Sequence, residues 1–206
     1  MSAPPMKQIR IASAKDKKEV TTLRTREFDR SKNFKLLKPK LLHWNHTDDA
    51  HTVLGIWNEN QEIIATLRLI RVANLQEAVK RLEADIPIAV HFPCLIFNSA
   101  ATRQDYHRQG LNQLLRYHSI RAALAHHIQH LISPVYLNAP RLALMEKLGY
   151  SFHEPPHTWQ TKLAPYSPRI LAILGKNRFA SAKDILEKSI PHLIDTYPWT
   201  GEPISL

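Results

Sequence analysis

The residues best suited to chemistry in this chain gather around one short stretch, HRQGLN, His107 to Asn112. An apolar run, FPCLIF (Phe92 to Phe97), leads through NSAATRQDY into it, and an apolar-periodic segment, Leu111 to Leu131, follows at once. Strand, loop and helix in that order put Gly110 where the loop becomes the helix. A glycine there lets the backbone come close to a ligand, and the first-turn N–H groups have no intrahelical partners. Such a turn is suited to holding phosphate. Other reactive side chains carry less. Cys94 lies inside the apolar run and reads as a small buried hydrophobe. As the one cysteine, it rules out an intramolecular disulfide and implies no oxidising compartment. His126 and His130 would share a helix face at i, i+4, but with no third ligand beside them and no HExxH motif no metal is expected.

A length of 206 residues suits one α/β domain, or one domain with an appendage, and allows a proper core. The 44% hydrophobic and 22% charged content is that of an ordinary globular protein. The opening MSAPPMKQIR lacks the apolar region of a signal peptide, and no segment reaches the ~18 apolar residues of a membrane span, so a cytoplasmic protein is expected. The net charge of +10 is uneven: residues 1–40 hold twelve Lys and Arg against four Asp and Glu. A basic end attracts acidic partners such as nucleic acid, anionic lipid or an acidic carrier protein. Nucleic acid is disfavoured, because no aromatic-interleaved basic motif, helix-turn-helix or RNP pattern accompanies the charge.

The elements that must position the loop follow from patterning. KQIRIA (Lys7 to Ala12) alternates as a short strand, and Ser13 with Asp16 forms a capping-box pattern opening a helix from about Ala14 to Arg30. SKNFKLLKPKLLHW reads as a short helix over a substrate mouth or as a connector, with Pro39 as a breaker. HTVLGIW and EIIATLRLIRV around a polar turn read as a hairpin. Leu75 to Ile86 is a helix halted by Pro87, and a strand from Ile88 to about Ala100 enters the glycine loop. In the helix after it, Leu111, Leu114, Leu115, Ala122 and Ala125 form one apolar stripe. SPVYLN is a short strand, and ALMEKLG ends a helix at Gly149. SFH and Thr158 to Ala164 are then expected as strands. SPRILAILG follows as a helix, with Ser167 as N-cap, Pro168 at N1 and Gly175 as terminator, and a last helix runs towards Ile194.

The segment TRQDYHRQGLNQLLRY resembles the coenzyme A pyrophosphate loop of the GCN5-related N-acetyltransferase (GNAT) superfamily, an Arg/Gln-x-x-Gly-x-Gly/Ala pattern opening a helix. NAPRLALMEKLGYSF (Asn138 to Phe152) resembles the family's second signature, an Asn-led helix that ends in a Lys-x-Gly-Phe/Tyr turn. The chain departs from the pattern at His107, where Arg or Gln is usual, and at Asn112, where Gly or Ala is usual. Met145 stands where many members carry the tyrosine that protonates the leaving thiolate, and a thioether cannot donate a proton. The resemblance implies an α/β (α+β) fold: a mixed central sheet splayed at the cofactor site, between the strand ending near Thr102 and the strand around Val135, with helices on both faces. Residues 1–165 would form the acyltransferase domain and 166–206 a helical extension on it.

By that resemblance an acyl group passes from a thioester, acetyl-CoA or a longer acyl-CoA, to an amine by direct attack. The cradle for the pyrophosphate is expected from the N–H groups of Arg108, Gln109, Gly110, Leu111 and Asn112, with the side chains of Arg103 and Arg108. His107 and Asn138 belong to the matching motifs, and Thr102 would bond the pantetheine arm through its backbone. The central strand offers His91, Asn98 and Ser99 and no carboxylate. His91 could take a proton near neutral pH or be a satisfied core residue. Asn98 could hold a water, orient the amine or stabilise a bulge. A second resemblance, to acyl-homoserine-lactone synthases and N-acyl amino acid synthases, rests on LRTREF, Trp44, Asp48 and Asp49, and ATLRL. It implies that Arg24, Phe28, Trp44, Asp48 and Arg68 order the region binding the amine and the acyl chain, with acyl carrier protein as a possible donor for the basic end to dock. The rival reading is a binding module that keeps the fold without transfer.

Overall fold

The computed structural model describes residues 6–30, 42–87, 89–137, 139–154 and 169–206. Its centre is a seven-stranded sheet of order β1-β2-β3-β4-β5-β7-β6. The strands are β1 (Gln8–Ile11), β2 (Thr52–Trp57), β3 (Ile63–Val72), β4 (Cys94–Thr102), β5 (His130–Tyr136), β6 (Ser151–His153) and β7 (Arg169–Gly175). Every pairing is antiparallel except that of β4 with β5. The helices are α1 (Lys17–Asp29), α2 (His46–Ala50), α3 (Leu75–Leu82), α4 (Leu111–Ala125), α5 (Leu142–Lys147), α6 (Phe179–Ser189) and α7 (Pro191–Thr196).

Alternation divides the sheet's two faces. Leu67 and Leu69 of β3, Leu95 and Phe97 of β4, and Leu131 and Val135 of β5 join the core under α4 and α6. Ile70, Val72, Cys94, Ile96 and Ile132 turn to the opposite face beside α3, and Val20 and Leu23 of α1 pack with Ala101 on that side. Burying both faces under helices requires apolar residues at nearly every β3 position, and nine of its ten residues are buried.

The expected hairpin is β2 and β3, and Ser13 and Asp16 form the capping box ahead of α1. Several local expectations are overturned. SPRILAILG is not a helix: Arg169–Gly175 is β7, paired with β5 on one side and β6 on the other. Its five consecutive buried residues suit a central strand covered on both faces, a pattern that apolar content alone does not separate from a buried helix. The strand before the loop begins at Cys94 rather than Ile88, because Pro87 and Pro93 lack the N–H groups a ladder needs. His91 therefore lies outside the central strand, exposed. Helix α4 stops at Ala125, so His130 opens β5 and does not share a helix face with His126. The Thr158 to Ala164 strand, Asn138, and most of the basic connector after α1 fall outside the described residues.

Candidate active site

β4 and β5 pair only at Cys94↔His130, Leu95↔Leu131 and Ile96↔Ile132. From Phe97 and Ser133 onward the two parallel strands part, opening a V whose mouth faces the loop before α4. A bulge turns β4 at this point: Thr66 faces Ala101 and Arg68 faces Asn98, so Ser99 and Ala100 together oppose Leu67. Ser99 takes the left-handed conformation at φ 50°. Its N–H and hydroxyl both donate to Asn98 Oδ1, which holds the bulge in place.

The loop at the mouth closes on itself. His107 Nε2 lies 2.8 Å from the Thr102 carbonyl, to which it donates. Arg108 at φ 62° and Gly110 at φ 82° are both left-handed, so the chain reverses into α4. Gly110 is the N-cap, with no side chain capping the helix's first N–H groups. Those groups are thereby available to an anion. Arg103 is drawn elsewhere, to Asp105 and Glu62 at 2.8 Å each, and its proton is held more tightly by these carboxylates, Asp105 first. Arg108 and Gln109 are exposed at the rim, and the Gln109 amide donates to the Asp105 carbonyl. A Cβ on Gly110 would sit 2.8 Å from Leu193 Cδ1 of α7 and 3.3 Å from Ile190 Cγ2. The chain's last helices therefore brace the back of the loop.

On the α1 side of the bulge lies a buried ionic group. Asp48, at the N-terminus of α2, accepts from Arg24 Nη1 at 2.7 Å and faces Arg68 Nη1 at 3.2 Å. Arg68 also donates to Ser99 Oγ at 3.1 Å, so the group reaches the bulge. Burial lowers Arg24 from its ordinary value against the pull of Asp48, and lowers Arg68 to about 10 with the same opposing cause. Two guanidiniums share one carboxylate, and Arg24 Nε and Nη2 and Arg68 Nε are enclosed without an acceptor. Trp44 stands beside them, its N–H accepted by the Thr21 hydroxyl and its indole by Asp49. Phe28 packs partly buried against Val20, Leu23 and Trp57.

On the α4 side of the V, Arg116 and Tyr150 meet; neither was singled out by the sequence. Arg116 reads there as a solvent-facing position between apolar ones, yet it is 1% exposed. Tyr150 is placed by the turn ending α5, where its N–H bonds the Met145 carbonyl, the Gly149 N–H bonds that of Glu146, and Gly149 is left-handed at φ 88°. Met145 itself is wholly buried, in the same core as Leu148 and Tyr150, and its thioether has no proton to give. His91, by contrast, sits beyond the closed end, its N–H on His130 Nδ1 at 3.1 Å. His91 lies before the start of β4, and the four strand steps from Cys94 to Asn98 alone cover about 13 Å at ~3.3 Å each. Cys94 is buried there too, its thiol pushed up to about 12 by burial. A cavity of about 250 Å³ lined by His130, Ser151, His153 and Asn177 contains none of the residues expected at the site.

Residues 17–150, which include the splayed parallel pair of β4 and β5, the bulge and the uncapped start of α4, match a family model described as the acetyltransferase (GNAT) family. The chain belongs to that family. The GNAT fold is shared with the CoA-dependent acyl-homoserine lactone synthase BjaI, solved with SAM and isopentyl-CoA. The two have a TM-score of 0.64 at 14% identity, over 97% of this chain and 95% of that one. FeeM, an N-acyl amino acid synthase from uncultured soil microbes, gives 0.62 at 13% identity over 89% and 98%. YncA from Salmonella typhimurium, a putative acetyltransferase solved with its cofactor acetyl-CoA, gives 0.58 at 14% over 82% and 93%. No curated protein matches the sequence. Among the described residues, no helix is long and apolar enough to cross a membrane.

Proposed function

We propose that the chain is an N-acyltransferase that moves an acyl group from an acyl-CoA or acyl carrier protein thioester to an amine. The observation that carries this reading is the parting of β4 from β5 after Ile96 and Ile132, with the uncapped start of α4 at the mouth. The residues fit the donor: N–H groups of Gly110, Leu111 and Asn112 would meet the diphosphate, and the Ala100 to Thr102 backbone would run beside the pantetheine arm. The thioester supplies an acyl carbon activated toward amines. The amine would approach from the α1 side, where Arg68 and Asp48 hold the bulge through Ser99. Its nitrogen would attack the acyl carbon, the carbon–sulfur bond would break, and the thiol would leave with a proton.

Neither acid nor base is assigned to a side chain. Asn98 Oδ1 and the Ser99 hydroxyl are engaged at the bulge, Met145 is enclosed, and His91 lies beyond the closed end of the V. In this reading solvent water takes the ammonium proton and returns one to sulfur, so catalysis rests on positioning and on binding the diphosphate. The engagement of Asn98 Oδ1 and the Ser99 hydroxyl at the bulge favours a second reading, a thioester-binding module without transfer. The test is thiol release from acetyl-, longer acyl-CoA and acyl carrier protein with a panel of amines. Release that requires an amine supports transfer; tight CoA binding with no release from any donor moves the chain to the binding module.

A further inference from the structure

Arg116 is a buried cation without a counterion. Its Nε donates to Asn112 Oδ1 at 3.0 Å, and its Nη1 has two long contacts of 3.4 Å, to Ser133 Oγ and Tyr150 Oη. Its guanidinium lies 5.3 Å from the centre of the Phe97 ring. All of these partners are neutral. Arg141, just ahead of α5, adds a second guanidinium whose Nε is enclosed with no acceptor. Burial first, and the charge of Arg116 second, push Arg141 down to about 10. Neither arginine forms an ion pair among the described residues, and the residues outside them contain no Asp or Glu. Enclosing charge without a partner is costly, and such a site gains most from an incoming anion.

Position decides which anion. Phe97 and Ser133 are the first residues beyond the last paired positions, so Arg116 stands at the apex of the V, on the α4 face. The diphosphate turn belongs to that same helix, whereas Arg24, Asp48 and Arg68 lie across the sheet. From the bulge at Ser99 to Phe97 the strand advances about 6.6 Å at ~3.3 Å per residue. That is the reach of a short diacyl chain plus one charge-assisted hydrogen bond of about 2.8 Å. We propose that the apex selects an acyl donor whose far end is a carboxylate, a short ω-carboxyacyl thioester, with Arg116 and Arg141 as its specificity-determining residues. The carboxylate would displace the two long hydroxyl contacts. This inference rests on the acyltransferase reading of the same cleft.

Calorimetric titration of succinyl-CoA, butyryl-CoA with the same four-carbon chain but no carboxylate, and free CoA tests it. The wild type is expected to bind succinyl-CoA at least about tenfold more tightly than butyryl-CoA, the smaller end of what a hydrogen bond to a charged group contributes. In Arg116→Met that ratio falls to about one, and Arg141→Met lowers it in the same direction; removal of an unpaired buried charge leaves the fold intact. Equal affinities in the wild type, with free CoA still bound, overturn the inference and spare the acyltransferase reading. Binding of none of the three overturns both. If succinyl-CoA has no advantage but glutamate or another amino acid stabilises the acetyl-CoA complex in an Arg116-dependent way, the carboxylate belongs to the acceptor and the donor assignment fails.

Discussion

Gly110 is fixed twice, by its left-handed φ of 82° and by Leu193 at 2.8 Å from where a Cβ would stand. The second constraint changes what a substitution tests: a side chain at this position runs into α7 and not into the diphosphate. Gly110→Ala is therefore expected to cost about 1–3 kcal/mol of stability, measured by urea unfolding, before any effect on ligand. His91 gives the opposite expectation. A working general base contributes roughly 10²–10⁴-fold, and a histidine beyond the closed end of the V contributes none of it. His91→Ala should change kcat/KM by less than about threefold, measured with any amine that the enzyme accepts. Gly110 was legible because a glycine between a polar loop and an apolar-periodic helix has few readings. Arg116 was not, because periodicity assigns polar residues to the solvent side, and only the parting of β4 and β5 makes this position interior.

Among the elements, α4 carries the site and is itself held on several sides. His118 on α4 is 5% exposed, stacks on Trp199 with ring centres 5.2 Å apart, and has its Nε2 enclosed without an acceptor. Burial, and next the charge of Arg121, lowers its pKa from 6.5 to about 4. Above pH 6.5 the ring is neutral folded or unfolded and stability is full. As pH falls from 6.5 to about 4 the unfolded chain binds a proton that the folded one refuses, so stability is lost, in total by about 3 kcal/mol. His118→Phe should flatten the stability profile across that window, followed by urea midpoints at several pH values. An unchanged slope would place the acid sensitivity elsewhere. The capping box of Ser13 and Asp16 and the β2–β3 hairpin were readable because their signals are local. β7 was not: a Ser-Pro start, an apolar run and a terminal glycine satisfy the marks of a short helix, and only its neighbours β5 and β6 make it a strand.

At the scale of the whole molecule, two sets of arginines with enclosed guanidinium nitrogens lie on either face of the sheet beside one cleft. The α1 face holds Arg24 and Arg68 around Asp48, and the α4 face holds Arg116 and Arg141 without a carboxylate. The splay that separates them was foreseen from two short signatures, and the mixed sheet with helices on both faces is that of the GNAT family. Arg116 and Arg141 lie inside the two matching segments, TRQDYHRQGLNQLLRY and NAPRLALMEKLGYSF, but the patterns give neither of them a role, so the chemistry at the apex is not read from the signatures. The central claim is that a CoA thioester enters the V with its diphosphate on the first turn of α4. Thermal and urea unfolding with free CoA, acetyl-CoA and longer acyl-CoAs measures this most directly. Ligand at 100 times its Kd should raise stability by about 2.7 kcal/mol, and free CoA alone should show much of the effect. No stabilisation by any of them, nor by an acyl carrier protein thioester, would contradict the account.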